Sequence, residues 1–259
     1  MRNESGFEEK TALISGLNVA YKTIGDGRPF LILHGWGSRA DNWVRTAERI
    51  SQFGVKVIIP DLPGFGKTEA QKNAWGVDEY LNFVKNFADS LGLKSFYILG
   101  HSFGGGLALK FTVKFPDKVD KLFLAAAACF RRETGRKMVL RKTAKFFKVL
   151  CFLPFYSFFR RAFYKFIVGR SDYVHLREGP IKNSYLKIIQ EDLSPVLPLV
   201  QKETIIIWGD KDSITPLKNA YLIKEKIKRS KLIIVPGQNH DLERKAPKEL
   251  SDIVISNLK

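Results

Sequence analysis

Gly100-His101-Ser102-Phe103-Gly104 is the stretch of this chain richest in chemistry. It follows an apolar run, Phe96 to Leu99, that predicts a strand, and it opens a run from Phe103 to Phe115 that predicts a helix. The serine therefore falls on a tight strand-to-helix turn, whose flanking glycines let the backbone close without Cβ clashes and leave Oγ clear of the sheet. A free hydroxyl is too weakly acidic to attack an acyl carbon at neutral pH, so Ser102 needs a base. Of the four histidines, His34 belongs to the loop after the apolar run Pro29 to Leu33, His101 is inside the turn and His175 lies in an insertion. His240 stands directly past the last predicted strand, Leu232 to Val235, at the edge where open α/β sheets place their ligands, and is the candidate base. The base in turn needs an acid to hold its tautomer. Trp208-Gly209-Asp210-Lys211-Asp212 ends another strand, and spacing alone does not choose between Asp210 and Asp212, either of which also suits a turn. The oxyanion formed on attack needs N–H donors. Phe103 supplies one from the helix start, and the loop His34-Gly35-Trp36-Gly37 supplies another through the Trp36 N–H.

These residues need a scaffold that brings strand ends together. Leu17 to Ile24 alternates like a half-buried strand, and a Gly25-Asp26-Gly27 turn leads to the short apolar run Pro29 to Leu33. Further continuous apolar runs at Val55 to Ile59, Phe96 to Leu99, Leu122 to Ala128, Ile205 to Trp208 and Leu232 to Val235 read as strands covered on both faces, hence a mostly parallel sheet. Between them, helical spacing predicts helices over Asp41 to Phe53, Val77 to Leu91, Phe103 to Phe115, Pro216 to Lys228 and Ala246 to Leu258. The alternation predicts an α/β fold with right-handed crossovers.

From Phe130 to about Lys202 no buried strand is predicted. Residues 130–180 hold 13 Lys and Arg against 3 Asp and Glu, so +10 of the chain's formal +17 is concentrated there, with 12 of its 32 aromatics. The chain as a whole has 259 residues, 45% of them hydrophobic, enough to bury a core and too many for a disordered chain. Its longest apolar run, Val149 to Phe159, has 11 residues between cations, against the roughly 18 or more of a membrane span. The first ten residues show no apolar core or cleavage site of a signal peptide, so a cytoplasmic protein is expected. Cys129 and Cys151, in apolar surroundings and outside any Cys/His cluster, predict reduced thiols, with neither disulfide nor metal site.

Taken together, His34-Gly35-Trp36-Gly37, Asp61-Leu62-Pro63-Gly64-Phe65-Gly66, Gly100-His101-Ser102-Phe103-Gly104, Gly209-Asp210-Lys211-Asp212 and Asn239-His240 resemble the α/β-hydrolase superfamily in its chain order Ser, Asp, His. The resemblance covers the whole chain apart from the insertion. It implies Ser102 as nucleophile, Asp212 rather than Asp210 as acid, His240 as base, Trp36 and Phe103 as oxyanion donors, and His34, Gly35 and His101 beside the substrate. It also implies a core domain from residues 1–129 and 203–259, with 130–202 a helical cap roofing the site. The His-Gly-Trp-Gly loop resembles that of small carboxylesterases, so the expected activity is hydrolysis of aliphatic or aromatic acyl esters through an acyl-enzyme, with no metal or cofactor. Lactonase, thioesterase, C-C bond hydrolase and cofactor-free haloperoxidase chemistry reuse the same triad. A noncatalytic protein binding an acyl ligand or an acidic partner is the alternative outside enzymes. Haloalkane dehalogenase and epoxide hydrolase chemistry would need a carboxylate where Ser102 stands.

Two competing readings fit less well. Asp61 to Gly66 lacks both a Walker pattern and G-x-G-x-x-G, so it reads as a turn rather than a nucleotide loop. The basic, aromatic insertion can attract an acidic carrier protein or an anionic membrane surface. No recognition motif points to nucleic acid.

Overall fold

A computed structural model describes residues 6–130 and 179–258. The predicted cap contacts of 131–178, with His175 and Cys151, lie outside the described residues.

Eight strands form one sheet: β1 (Glu8–Ile14), β2 (Leu17–Ile24), β3 (Arg28–Leu33), β4 (Val55–Pro60), β5 (Phe96–His101), β6 (Val119–Ala125), β7 (Thr204–Gly209) and β8 (Ser230–Val235). Their spatial order is β1-β2-β4-β3-β5-β6-β7-β8. The pairs β1/β2 and β2/β4 are antiparallel and all others parallel. The helices are α1 (Val44–Ser51), α2 (Val77–Ser90), α3 (Phe103–Lys114), α4 (Pro180–Ile188), α5 (Lys218–Lys226), α6 (Leu242–Lys245) and α7 (Pro247–Ile255).

The apolar runs are continuous because each inner strand is covered twice. Leu31 and Leu33 of β3, Leu122 and Leu124 of β6, and Ile206 and Trp208 of β7 face a core built with α2, α3 and α5. The alternate residues Phe30, Ile32, Phe123, Ala125, Ile205 and Ile207 face a second core built with α1 and α7. Full burial of each Leu, Ile or Phe among them stabilises the fold by about 1.5 to 3 kcal/mol.

Three differences from the sequence expectation have local causes. β1 was not predicted, because its Glu8-Glu9-Lys10-Thr11 half is largely exposed on the sheet edge and carries little hydrophobic signal. Ser15 and Gly16, both at positive φ, form the two-residue turn that pairs it with β2. β6 runs three residues earlier than expected and stops at Ala125. Beyond it the chain turns to the site: the carbonyl oxygen of Ala126, at φ 47, lies 3.2 Å from Thr215 Oγ1, and the Ala128 N–H donates to Ser102 O. The predicted helix from Ala246 is α7, starting at Pro247 with the short α6 before it.

β3 is the point where the winding reverses, since the next strand, β4, lies on one side of it and β5 on the other. The register pairs Leu33 with Gly100, His101 with Ala125, Ala125 with Ile207 and Gly209 with Val235, so all five carboxyl ends finish at one edge. A crevice outside the carboxyl ends at such a reversal is where open α/β sheets bind ligands.

Of the predicted cap, residues 179–202 are described. They hold α4 and a short 3-10 stretch, Ser194–Leu199, and no strand. α4 lies over the loops on the site edge: Ser184 Oγ accepts from the Trp75 N–H at 2.8 Å and from Gln71 Nε2 at 3.0 Å, and the Tyr185 ring sits 5.5 Å from that of Trp36. No helix among the described residues is long and apolar enough to cross a membrane.

Candidate active site

Ser102 stands between β5 and α3 with φ 53 and ψ −116, a region that costs a non-glycine residue about 1 to 3 kcal/mol. Its backbone is held from both sides. The Ser102 N–H donates to Ala125 O at 3.0 Å, while Ser102 O accepts from the N–H groups of Gly105, Gly106 and Ala128. The glycines of the motif are steric requirements. A Cβ on Gly100 would lie 2.1 Å from Gly104 O, and one on Gly104 would lie 2.1 Å from Leu33 O, so α3 packs on the strand ends at a distance only glycine permits.

That clash is with backbone atoms, which cannot swing away. Gly104→Ala is therefore expected to cost about 3 kcal/mol or more. In a chain of this size that lowers Tm by on the order of 10 °C. Thermal unfolding followed by circular dichroism checks it, and an unchanged melt would mean that α3 can move off β3 freely.

His240 follows β8, is buried, and has Nδ1 2.8 Å from Asp212 Oδ2. Asp212 lies in the loop after β7, where its carboxylate is fully used. Oδ1 accepts from the N–H groups of Ile214 and Thr215, both at 2.8 Å, and Oδ2 accepts from the Thr215 hydroxyl at 2.7 Å as well as from His240. Burial works against the charged form of Asp212, but the hydrogen bonds from His240 and Thr215 outweigh it and hold the carboxyl below its ordinary range. An ionised carboxylate only accepts, so the His240 proton sits on Nδ1 and Nε2 is left as a bare lone pair. Asp210, the other aspartate of the turn, is exposed, and its backbone N–H reaches Val235 O at 3.4 Å. The structure thus brings Asp212, and not Asp210, to His240.

Two residues without an assigned place in the sequence reading belong to this arrangement. Thr215 links the acid to Ala126 O at 3.2 Å and lies 3.2 Å from His240 Nδ1. Its signal was the Asp212-Ser213-Ile214-Thr215 turn, in which an aspartate binds N–H groups two and three residues on. Gly209 ends β7 where the histidine loop crosses it, since a Cβ there would lie 2.3 Å from Gln238 O.

The His34 to Gly37 loop reaches the serine turn: a Cβ on Gly35 would lie 3.3 Å from Ser102 Cβ and 3.0 Å from His101 Nδ1. Trp36 packs edge-on against Phe65 at 4.8 Å and Phe103 at 5.4 Å. Its backbone N–H takes part in no hydrogen bond among the described residues. His34 and His101, expected beside the substrate, are both buried with their rings turned into the protein. His34 Nε2 accepts from the Leu62 N–H at 2.9 Å, so its proton is on Nδ1, which donates to Gly35 O at 2.8 Å. Burial pushes His34 down to about 4, keeping it neutral, and its ring ties the 34–37 loop to the 61–66 turn. That turn is fastened by Asp61, whose carboxylate accepts from the N–H groups of Ala40 and Lys67. Cys129 is buried, which pushes its thiol up to about 12 and makes it inert. Among the described residues no cluster of His, Cys, Asp or Glu has the makings of a metal site.

A doubly covered, mostly parallel sheet with a strained serine turn at its reversal point and an Asp-His pair at the neighbouring strand ends defines an α/β-hydrolase fold. A family model for the alpha/beta hydrolase fold matches residues 28–150, in agreement with that architecture. It is 28% identical to Lipase 1 of Psychrobacter immobilis, covering 92% of this chain and 80% of the lipase. It is 25% identical to 2-hydroxy-6-oxo-6-phenylhexa-2,4-dienoate hydrolase of Comamonas testosteroni, covering 79% of this chain and 78% of that enzyme. Among solved structures, a bacterial membrane phospholipase A superposes with a TM-score of 0.77 at 24% identity, over 98% of this chain and 86% of the other. These matches agree with the described fold, and the protein is an α/β hydrolase.

Proposed function

We propose that this hydrolase cleaves carboxylic esters through an acyl-enzyme on Ser102, with His240 as base and Asp212 as the acid that orients it. The observation that carries the reading is the 2.8 Å contact between Asp212 Oδ2 and His240 Nδ1, because it fixes the tautomer that leaves Nε2 free to take a proton from Ser102. In the reaction Ser102 Oγ attacks the ester carbon as its proton passes to His240 Nε2. The N–H groups of Phe103 and Trp36 receive the developing oxyanion. The imidazolium then protonates the departing alcohol, and water, deprotonated by the same nitrogen, releases the acid. No step calls for a metal or cofactor.

The lipase names among the relatives support ester chemistry over the other reactions of the same triad. The described edge of the site is aromatic: Trp36, Phe65, Phe103, Tyr80 and Tyr185 pack ring against ring there, which favours an apolar acyl group. The proposal includes a cap over this edge, to which α4 would belong. The test is hydrolysis of p-nitrophenyl esters of increasing acyl length. Turnover that passes through an optimum and disappears with Ser102 is the expected result. Failure on every ester, with cleavage of a vinylogous 1,5-diketone instead, would transfer the same residues to C-C bond hydrolysis, the chemistry named for the Comamonas testosteroni relative.

A further inference from the structure

His101 occupies the position immediately before Ser102, and its ring points away from the crevice. Nε2 lies 2.8 Å from the backbone carbonyl oxygen of His240, 139 residues away. The His101 and His240 rings are 4.9 Å apart, and the Trp43 ring, 6.0 Å from His101, packs against it as well. On the same nitrogen's side, Glu243 Oε2 comes to 3.7 Å, beyond a hydrogen bond, from a carboxylate that is itself buried. His101 Nδ1 and Glu243 Oε2 have no hydrogen-bond partner among the described residues.

The chemistry of these partners fixes the ring. A carbonyl oxygen only accepts, so Nε2 carries the proton and donates. Burial holds His101 below the ordinary histidine range, against the opposing pull of the Glu243 charge, so the ring has one proton and uses it here. The negative Glu243 favours the same orientation, with the N–H edge turned toward it. The result is a single bond joining the residue next to the nucleophile to the backbone of the base. No other described hydrogen bond joins the residues of the serine turn, 100–104, to the 236–241 loop.

We infer that His101 is a positioning residue for the base: its Nε2–H clamps the His240 loop to the serine turn and so sets the distance between Ser102 and His240. The inference rests on the Ser102-His240 reading above and deepens it. The neighbouring Asp212 fixes the imidazole's tautomer, while His101 fixes the place of the backbone that carries it. A misplacement of about 1 Å at a reacting pair can cost about 100-fold in rate, which sets the scale of the effect.

The test is the rate of covalent labelling by a small fluorophosphonate, which needs a serine activated by its base and does not depend on the ester chosen. His101→Leu removes the donor, His101→Asn leaves an amide too short to reach the carbonyl, and His101→Gln places an amide N–H close to where Nε2–H stood. The Leu and Asn variants are expected to label about 10- to 100-fold more slowly than wild type, and the Gln variant within about threefold of it. Circular dichroism melts of all three establish that they are folded, and if the Leu variant does not fold the Asn variant carries the comparison. Wild-type labelling rates in a folded Leu or Asn variant would overturn the inference, as would a folded Gln variant as slow as the other two. A wild-type protein that is not labelled, or is labelled equally in Ser102→Ala, would overturn the Ser102 reading itself and the inference with it.

Discussion

Ser102→Ala is expected to abolish ester turnover, by on the order of 10⁴- to 10⁶-fold as for other serine triads, while leaving the fold and melting temperature where they are. The two halves of this expectation have separate causes. The main-chain N–H and C=O of Ser102 make four hydrogen bonds, and all of them survive the substitution. The side-chain hydroxyl makes none among the described residues, so its removal exposes no buried partner. Alanine also meets the same φ of 53 as serine, so the strain of the turn is unchanged. What is lost is the atom that forms the acyl bond in the proposed reaction. The measurement is p-nitrophenyl ester hydrolysis with wild type and variant side by side, together with their thermal melts. Undiminished turnover in a folded Ser102→Ala protein would remove this serine from the mechanism, and a large drop in Tm would mean that Oγ contributes to the packing of the turn.

The serine turn was legible in the sequence because its requirements are local: glycine at 100 and 104, a strand before it and a helix after it. The apolar runs of β3 to β7 were legible for a different reason, since a stretch of strand covered on both faces is apolar on both. β1 fails that condition at the sheet edge and left no comparable trace. The choice between Asp210 and Asp212 depends on how the turn after β7 faces a loop after β8, which follows from the pairing of Gly209 with Val235 and not from spacing. The superfamily resemblance pointed to Asp212, and the geometry supplies the physical reason, namely four donors converging on its carboxylate. His101 and Glu243 were illegible as a pair because each is ordinary in its own segment and their meeting depends on tertiary approach. His34 shows the reverse error. A histidine in a loop near the site was expected to face the substrate, and burial with two backbone partners makes it a fastening between loops instead.

Asp212→Asn should reduce turnover by about 10⁴-fold, or about 5 kcal/mol of transition-state stabilisation, with the fold retained. The asparagine has one acceptor oxygen where the aspartate has two. The N–H groups of Ile214 and Thr215 both point at the Oδ1 position, so the amide oxygen settles there and the NH₂ group takes the place of Oδ2. Thr215 adapts, because its hydroxyl can turn its proton to Ala126 O at 3.2 Å and accept from the amide. His240 cannot adapt without loss. A donor now faces Nδ1, so the imidazole accepts there and carries its proton on Nε2, the nitrogen that must be bare to receive the proton of Ser102. The loss of the negative charge also removes the stabilisation of the imidazolium formed during attack. Asp210→Asn changes an exposed side chain with no part in this arrangement, and its turnover is expected within about threefold of wild type, as for surface substitutions elsewhere. Steady-state ester hydrolysis with both variants decides the matter. If Asp210→Asn proved the more damaging, the pair seen at 2.8 Å would not be the working one, and the acid would have to reach His240 from the other side of the turn.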